Sequence, residues 1–394
     1  MASSLHLAVA GCGHRPRAVI GNLLEELSST YGLSAVIHAY DPDPSAVAAS
    51  QAAWKAEVIA CESWSAALAN PEVSWAFIGS WNCFHAGQII AAFHTGKHVF
   101  AEKPLATTVD DCLAVREVWQ HAGKTFFFGL VLRYSPFYQR VFAESRPDKI
   151  GRILSFESNE TLSFNHGGYI HGNWRRLRQN AGTHLLEKCC HDMDIALWLT
   201  GDLPVRVASF GGTDFFQPQN RALAERLGTN AEGKRAYEVW DDPHRVDPFA
   251  GGQDIVDNQV VILEYAGGTR ATFHTNANAA LPERRVYLLG TEGAVRADAI
   301  SATLETCRIG FDAAPQRIEL DPHDGHAGGD QVLARRLAAS IIDGQAPAAG
   351  MDEALRSTLL CLGIDRALDE GKIVDVRPLW ERAGLGKWFD YKII

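Results

Sequence analysis

A glycine turn, Gly11-Cys12-Gly13, narrows the folds open to this chain more than anything else in it. Before it runs a short apolar stretch, Leu5 to Ala10, with the look of a buried strand; after it, Arg17 to Leu27 has apolar spacing that suits a helix. A second apolar run, Ala35 to Tyr40, ends on Asp41, and an alanine-rich helical stretch follows from Ser45 to Trp54. Strand, turn, helix and strand complete a βαβ unit. In that setting the backbone amides of the turn and the N-terminus of the helix can approach a pyrophosphate.

The alternation continues with a helical turn around Ser65 to Ala69, a strand Trp75 to Ile78, a helix from about Ala86 to Thr95 and a strand His98 to Ala101. A parallel sheet is expected. Thr108-Val109-Asp110-Asp111 fits a capping box and Gly123 a helix stop, after which Thr125 to Leu132 reads as one more strand. Beyond Gly151 the pattern changes to longer strand candidates: Ile153 to Glu160, Val205 to Gly211, Val256 to Tyr265, Arg270 to Asn276 and Arg284 to Leu289. Strands without intervening helices suggest an antiparallel sheet, with Ala266-Gly267-Gly268 turning a hairpin. One long helix is expected from Gly182 to Thr200, and the polar stretch Thr213 to Gly252 reads as an inserted loop with a functional or contact role.

A chain of 394 residues is expected to hold two domains, here 1–130 and 131–394, with the closing helices able to pack back on the first. The expected class is α/β: an N-terminal dinucleotide-binding domain, then an α+β domain with an open, mainly antiparallel sheet. An apolar fraction of 46% and a charged fraction of 21% are ordinary for a globular protein. A net charge of -10 argues against general affinity for nucleic acid or anionic membrane and favours a small-molecule partner. No stretch reads as a signal peptide or a membrane span. The eight cysteines lack a CxxC spacing, which suits reduced thiols in the cytoplasm.

The third glycine of a GxGxxG turn is absent, its place taken by Pro16, which suits a first helical turn. Asp41 stands where a carboxylate would accept hydrogen bonds from adenosine ribose hydroxyls and repel a 2′-phosphate, so NAD is favoured over NADP. The competing reading has Asp41, followed by Pro42, only starting a turn. Arg15 and Arg17 are the residues that could instead pair a phosphate.

The run Gly96-Lys97-His98-Val99-Phe100-Ala101-Glu102-Lys103-Pro104 resembles the GKHVxxEKP motif of the family of glucose-fructose oxidoreductase and inositol dehydrogenase, Gfo/Idh/MocA. Agreeing in order are the glycine turn, Ser80-Trp81-Asn82 with His85 in place of TPNxxH, Gly151, His191 with Asp194 as an HxxD, and Gly290-Thr291-Glu292-Gly293. The resemblance spans nearly the whole chain. It implies a Rossmann domain that holds NAD through Gly11, Gly13, His14, Arg15, Asp41, Ser80, Trp81, Asn82, His85, Glu102 and Lys103. It also implies a homo-oligomer, dimer or tetramer, assembled through the open face of the second sheet.

Lys103 lies at the C-terminal end of a parallel strand, where doubly wound sheets place ligands, and an ammonium there would stabilise a developing alkoxide. Glu187 and His191 are four apart on the expected helix and would share one face. In the family a carboxylate and a histidine at this spacing meet the substrate, which implies His191 as general base and Glu187, in place of the commoner aspartate, as its neighbour. Lys188 either faces the pocket or forms a salt bridge. Asp194 either orients His191 or caps a turn. Trp174 and Arg175, in Asn173-Trp174-Arg175-Arg176, resemble a WR segment of some members and suit sugar recognition, as does His166-Gly167-Gly168-Tyr169; surface or interface roles stay open. Asp330, in His326-Ala327-Gly328-Gly329-Asp330, either returns to the pocket or caps a helix. His184, His191, Asp192 and Asp194 match no zinc spacing, and no metal is expected.

The expected activity is NAD(H)-dependent oxidation of a secondary alcohol of a sugar, sugar derivative or cyclic polyol. Two alternatives stand beside it: a redox glycosidase with tethered NAD, and a dinucleotide- or sugar-binding sensor without turnover.

Overall fold

In a computed structural model, which describes residues 4–320 and 326–386, the chain separates into two units. The first comprises Met1–Pro136 and Asp324–Thr358, the second Phe137–His323 and Leu359–Ile394. No helix among the described residues is long and apolar enough to cross a membrane.

Six strands of the first unit form a sheet: β1 Leu5–Ala10, β2 Ala35–Tyr40, β3 Glu57–Ala60, β4 Val73–Ile78, β5 His98–Ala101 and β6 Phe126–Phe128. Their order is β3-β2-β1-β4-β5-β6 and every pairing is parallel. Leu7 to Ala10 are fully buried, as a strand covered on both faces requires. The order reverses between β1 and β4, the switch point at which such sheets open a crevice beyond the strand ends. Helix starts follow their caps: Asp43 accepts from the Ser45 amide ahead of Pro44–Ala53, and Thr108 from the Asp111 amide ahead of Val109–Ala122. The strand expected over Thr125 to Leu132 is shorter. It ends at Phe128 because its partner β5 ends at Ala101, and Val131–Tyr134 forms a 3-10 turn instead. β3 escaped the sequence because it is a four-residue edge strand, mostly exposed, with no apolar alternation to betray it.

The second unit holds β7 Ile153–Ser163, β8 Pro204–Gly212, β9 Asn258–Tyr265, β10 Arg270–Ala279, β11 Arg285–Gly290, β12 Gly293–Asp298, β13 Thr303–Arg308, β14 Gln316–Ile318 and β15 Val374–Asp375. They form one sheet in the order β14-β13-β12-β11-β7-β10-β9-β8-β15. Among the described residues only the β7–β10 pairing of this sheet is parallel, so the sheet is mixed and mostly antiparallel. The expected hairpin closes where the Tyr265 amide donates to the Thr269 carbonyl at 2.9 Å. On β9, Val261, Leu263 and Tyr265 point into the core while Val260 and Ile262 stand on the open face beside Phe210 of β8, which is 70% exposed.

Two expectations change here. The single helix from Gly182 to Thr200 is two, His184–Glu187 and Cys190–Thr200, because the chain leaves helical geometry at Cys189 (φ −95°, ψ 6°). The stretch Thr213 to Gly252 is not bare loop: it carries a 3-10 turn, Pro218–Asn220, a helix, Arg221–Leu227, and a bridge between Thr229 and Arg235.

Candidate active site

In the first unit the site grows from the end of β1. Gly11 has φ +88°, and a Cβ there would run into the backbone of Gly79 and Ser80, so only glycine lets the β1 and β4 ends pass so closely. The missing third glycine is explained on the same spot. The Pro16 ring fills the space a Cβ on Gly79 would need, so the close approach that a GxGxxG turn secures from the helix is secured from β4. The Cys12 amide donates to Asp41 Oδ2 at 2.7 Å, and Asp41 Oδ1 accepts from the Asp43 amide at 2.9 Å. Asp41 therefore starts a turn and also braces the glycine turn. A carboxylate has about four lone-pair sites, so capacity remains for hydroxyl donors.

Helix His14–Tyr31 has no side-chain cap and no acid in its first turn, and a Cβ on Gly13 would meet nothing within 4 Å. An uncapped helix start with open space before it leaves amides for an anion. These residues fit a dinucleotide: the turn would hold the pyrophosphate and Asp41 the ribose.

Arg15 is held by two carboxylates. Its Nε donates to Glu102 Oε1 at 2.9 Å and its Nη1 to Asp330 Oδ1 at 2.5 Å. His326 Nδ1 meets the other Asp330 oxygen at 2.8 Å. Against the burial that would raise it, this hydrogen bond and the Arg15 charge hold the Asp330 carboxyl well below the usual range. Asp330 is thus an ion-pair partner in the first turn of Gly329–Asp343 and not its N-cap, a place Gly328 takes. Arg17 donates to the Cys12 carbonyl at 3.2 Å.

His85 is buried, with Nδ1 2.7 Å from the Pro104 carbonyl and Nε2 3.1 Å from the Ser80 carbonyl. It ties the loops that follow β4 and β5, and burial pulls its pKa down. Its role is to support Ser80-Trp81-Asn82 on one side and Glu102-Lys103-Pro104 on the other. Ser80 Oγ donates to Gln88 at 2.6 Å, Asn82 is buried and Lys103 is half-buried.

The second unit gathers a denser set of charges. Thr183 caps the short helix His184–Glu187 by accepting from the Leu186 amide, and its hydroxyl donates to Asp365. Glu187 accepts from Arg175 Nε at 2.9 Å. Arg175 Nη1 also donates to the Tyr169 hydroxyl at 2.9 Å, and the guanidinium lies 4.4 Å from the Trp174 ring centre and 5.0 Å from that of Tyr169. Trp174, Arg175 and Glu187 therefore form one cluster. Lys188 takes the salt-bridge alternative, its Nζ 3.2 Å from Glu160. His191 and Asp194 are both buried on Cys190–Thr200, a different helix from Glu187, so the shared helical face expected for Glu187 and His191 is interrupted.

Sequence reasoning missed the charge cluster beneath Lys188. Arg284 grips Asp192 with two bonds, 2.9 and 2.7 Å, and lies 3.1 Å from Glu160. Burial and the charge of Glu160 push the Asp192 carboxyl up, while Arg284 and Lys188 hold Glu160 down despite its burial. Cys189 completes a group with Glu160 and Asp192 whose ligand atoms lie within 4.8 Å of one another, but Arg284 and Lys188 already supply these carboxylates with counter-charge. One signal was available: Phe156, Ser158 and Glu160 share a face of β7, and a carboxylate in register with buried neighbours needs a partner.

Residues 5–130 match the family model described as "Oxidoreductase family, NAD-binding Rossmann fold", and residues 138–296 match the Gfo/Idh/MocA C-terminal domain. The chain belongs to the Gfo/Idh/MocA oxidoreductase family. It is 24% identical over 306 residues to the 2,7-anhydro-N-acetylneuraminate hydratase of Escherichia coli (strain K12), covering 78% of this chain and 70% of that one. To the inositol 2-dehydrogenase of Gluconacetobacter diazotrophicus it is 28% identical over 149 residues, 37% of this chain and 41% of the relative. Among solved structures, levoglucosan dehydrogenase in complex with NADH and levoglucosan has the same fold, with a TM-score of 0.73 at 17% identity over 95% of this chain and all (100%) of that one.

Proposed function

We propose that the chain is an NAD(H)-dependent dehydrogenase acting on a secondary alcohol of a sugar, sugar derivative or cyclic polyol, in the cytoplasm and as a homo-oligomer. The observation that carries this reading is the uncapped helix start at Gly13 beside the Asp41 carboxylate at the end of the next strand. Asp41 would meet a 2′-phosphate with like charge, which favours NAD over NADP. Bound NAD supplies a hydride acceptor. The remaining work falls to side chains of this chain: the Lys103 ammonium stabilises alkoxide charge, and the His191 imidazole takes the hydroxyl proton. Glu187, steadied by Arg175, accepts a hydrogen bond from a neighbouring hydroxyl, and Trp174 and Arg175 line the substrate. Purified protein given NAD and a panel of inositols, hexoses and aminosugars should yield NADH absorbance. Lys103→Ala and His191→Ala should abolish that signal and leave NAD binding intact.

A second reading is a redox-neutral reaction in which NAD stays bound and no NADH accumulates, as in a tethered-NAD glycosidase. A related protein named a hydratase favours it. Here the sugar would be cleaved or hydrated while absorbance from NADH stays flat.

A further inference from the structure

The segment between β8 and β9 is built into the second unit by several independent ties. Asp257 accepts the amides of Asp214, Phe215 and Phe216 at 2.9, 2.8 and 2.8 Å, closing the base of the segment. Phe216, Tyr237 and Phe249 form a buried aromatic nest with Ala277 of β10. Helix Phe164–His171 is shaped to receive them: a Cβ on Gly167 would collide with the Ala277 carbonyl, and one on Gly168 with the Tyr237 backbone. Tyr237 itself sits at φ +68°, a conformation a bulky residue holds only when its surroundings over-determine it. They do so here, since the Tyr237 amide donates to Asn165 Oδ1 at 2.9 Å and its hydroxyl to Asn278 Oδ1 at 3.1 Å.

Three residues beyond this fixed point stands Trp240. Its ring centre is 4.9 Å from those of both His166 and Tyr169, at 63° and 70°. Tyr169 in turn accepts from Arg175, which holds Glu187. Trp240 remains 42% exposed, unusual for an indole so firmly anchored at its edges. An exposed aromatic surface fixed next to a forked donor and a carboxylate matches a ligand that presents apolar C–H faces and hydroxyls together.

We propose that the Thr213–Asp257 segment is a wall of the substrate site and that Trp240 is the platform on which the ring of a pyranose or cyclitol stacks, its hydroxyls meeting Arg175 and Glu187. The inference rests on the sugar or polyol reading above. It makes this segment, and not the shared fold, the element that selects among sugars.

Binding of a panel of inositols, hexoses and aminosugars to the NAD-loaded full chain is measured by calorimetry for the wild type, Trp240→Ala and Trp240→Phe. The bound sugar should weaken about tenfold in Trp240→Ala and recover most of that in Trp240→Phe, with NAD affinity unchanged in both. Fluorine NMR of protein carrying fluorotryptophan gives a readout that no folding defect can mimic: the resonance missing from Trp240→Phe should move when sugar is added to the wild type. A sugar that binds wild type and Trp240→Ala equally, with that resonance static, overturns the platform and leaves the sugar reading standing. A panel in which nothing binds the wild type overturns both.

Discussion

Arg15 Nε donates to Glu102 Oε1 at 2.9 Å, which links the first turn of the helix after β1 to the strand-end residue just before Lys103. With Asp330 on its Nη1, this arginine braces the glycine-turn helix against two carboxylates. Arg15→Ala should lower the melting temperature and weaken NAD without changing the preference for NAD over NADP. Asp41→Ser should narrow the NAD preference by about tenfold, on the order of 1.4 kcal/mol, and should also lower the melting temperature, because the shorter side chain gives up the brace on the Cys12 amide. Fluorescence titration with both cofactors checks the pair.

Arg284 carries the opposite charge for two buried carboxylates at once. Removing one partner of a buried pair leaves uncompensated charge, so Arg284→Met should cost about 3–5 kcal/mol in denaturant unfolding. Adding Asp192→Leu should recover part of that loss.

Asp365 gives stability a pH dependence of known sign. Burial, opposed by the Thr183 hydrogen bond, raises its carboxyl to about 7. The folded chain therefore holds a proton that the unfolded chain releases near pH 4, so this group's contribution is full at low pH and is lost as pH rises towards about 7. In Asp365→Asn, whose amide oxygen still accepts from Thr183, that decline should vanish from a plot of unfolding free energy against pH. An unchanged slope would remove Asp365 from the account.

Phe210 pairs directly with Val260, and Ala208 with Ile262, so the exposed apolar side chains of β8 and β9 make one continuous patch. A homo-oligomer would cover it. Light scattering should give a multiple of the chain mass for the wild type and a smaller species for Ile262→Lys; a monomeric wild type rules this assembly out.

What could be read from the sequence follows from how local each signal is. The parallel sheet was legible because fully buried strands such as Leu5–Ala10 are apolar runs punctuated by glycine and caps. The glycine turn and Asp41 were legible because each stands directly at the end of such a run, although the contacts that fix them reach 29 positions or more along the chain. The break at Cys189 was hidden, since no glycine or proline marks it and the short helix before it is tied by Thr183 to Asp365 and by His184 to Thr275, 182 and 91 residues away. The Glu160–Asp192–Arg284 cluster was hidden likewise, its members coming from β7, a helix and the residue just before β11. The parallel pairing of β7 with β10 could not be seen because strand alternation reports a face and not a neighbour. Pro16 departs from the expected turn only until Gly79, 63 positions on, is brought against it.

The most direct test of the central claim is the formation of NADH by purified protein given NAD and the sugar and polyol panel, followed as absorbance with the wild type and His191→Ala side by side. The account predicts that at least one secondary alcohol gives a rising signal that His191→Ala loses while NAD still binds. A signal that survives in His191→Ala, or a wild type that binds NAD and turns over none of the panel, would contradict it.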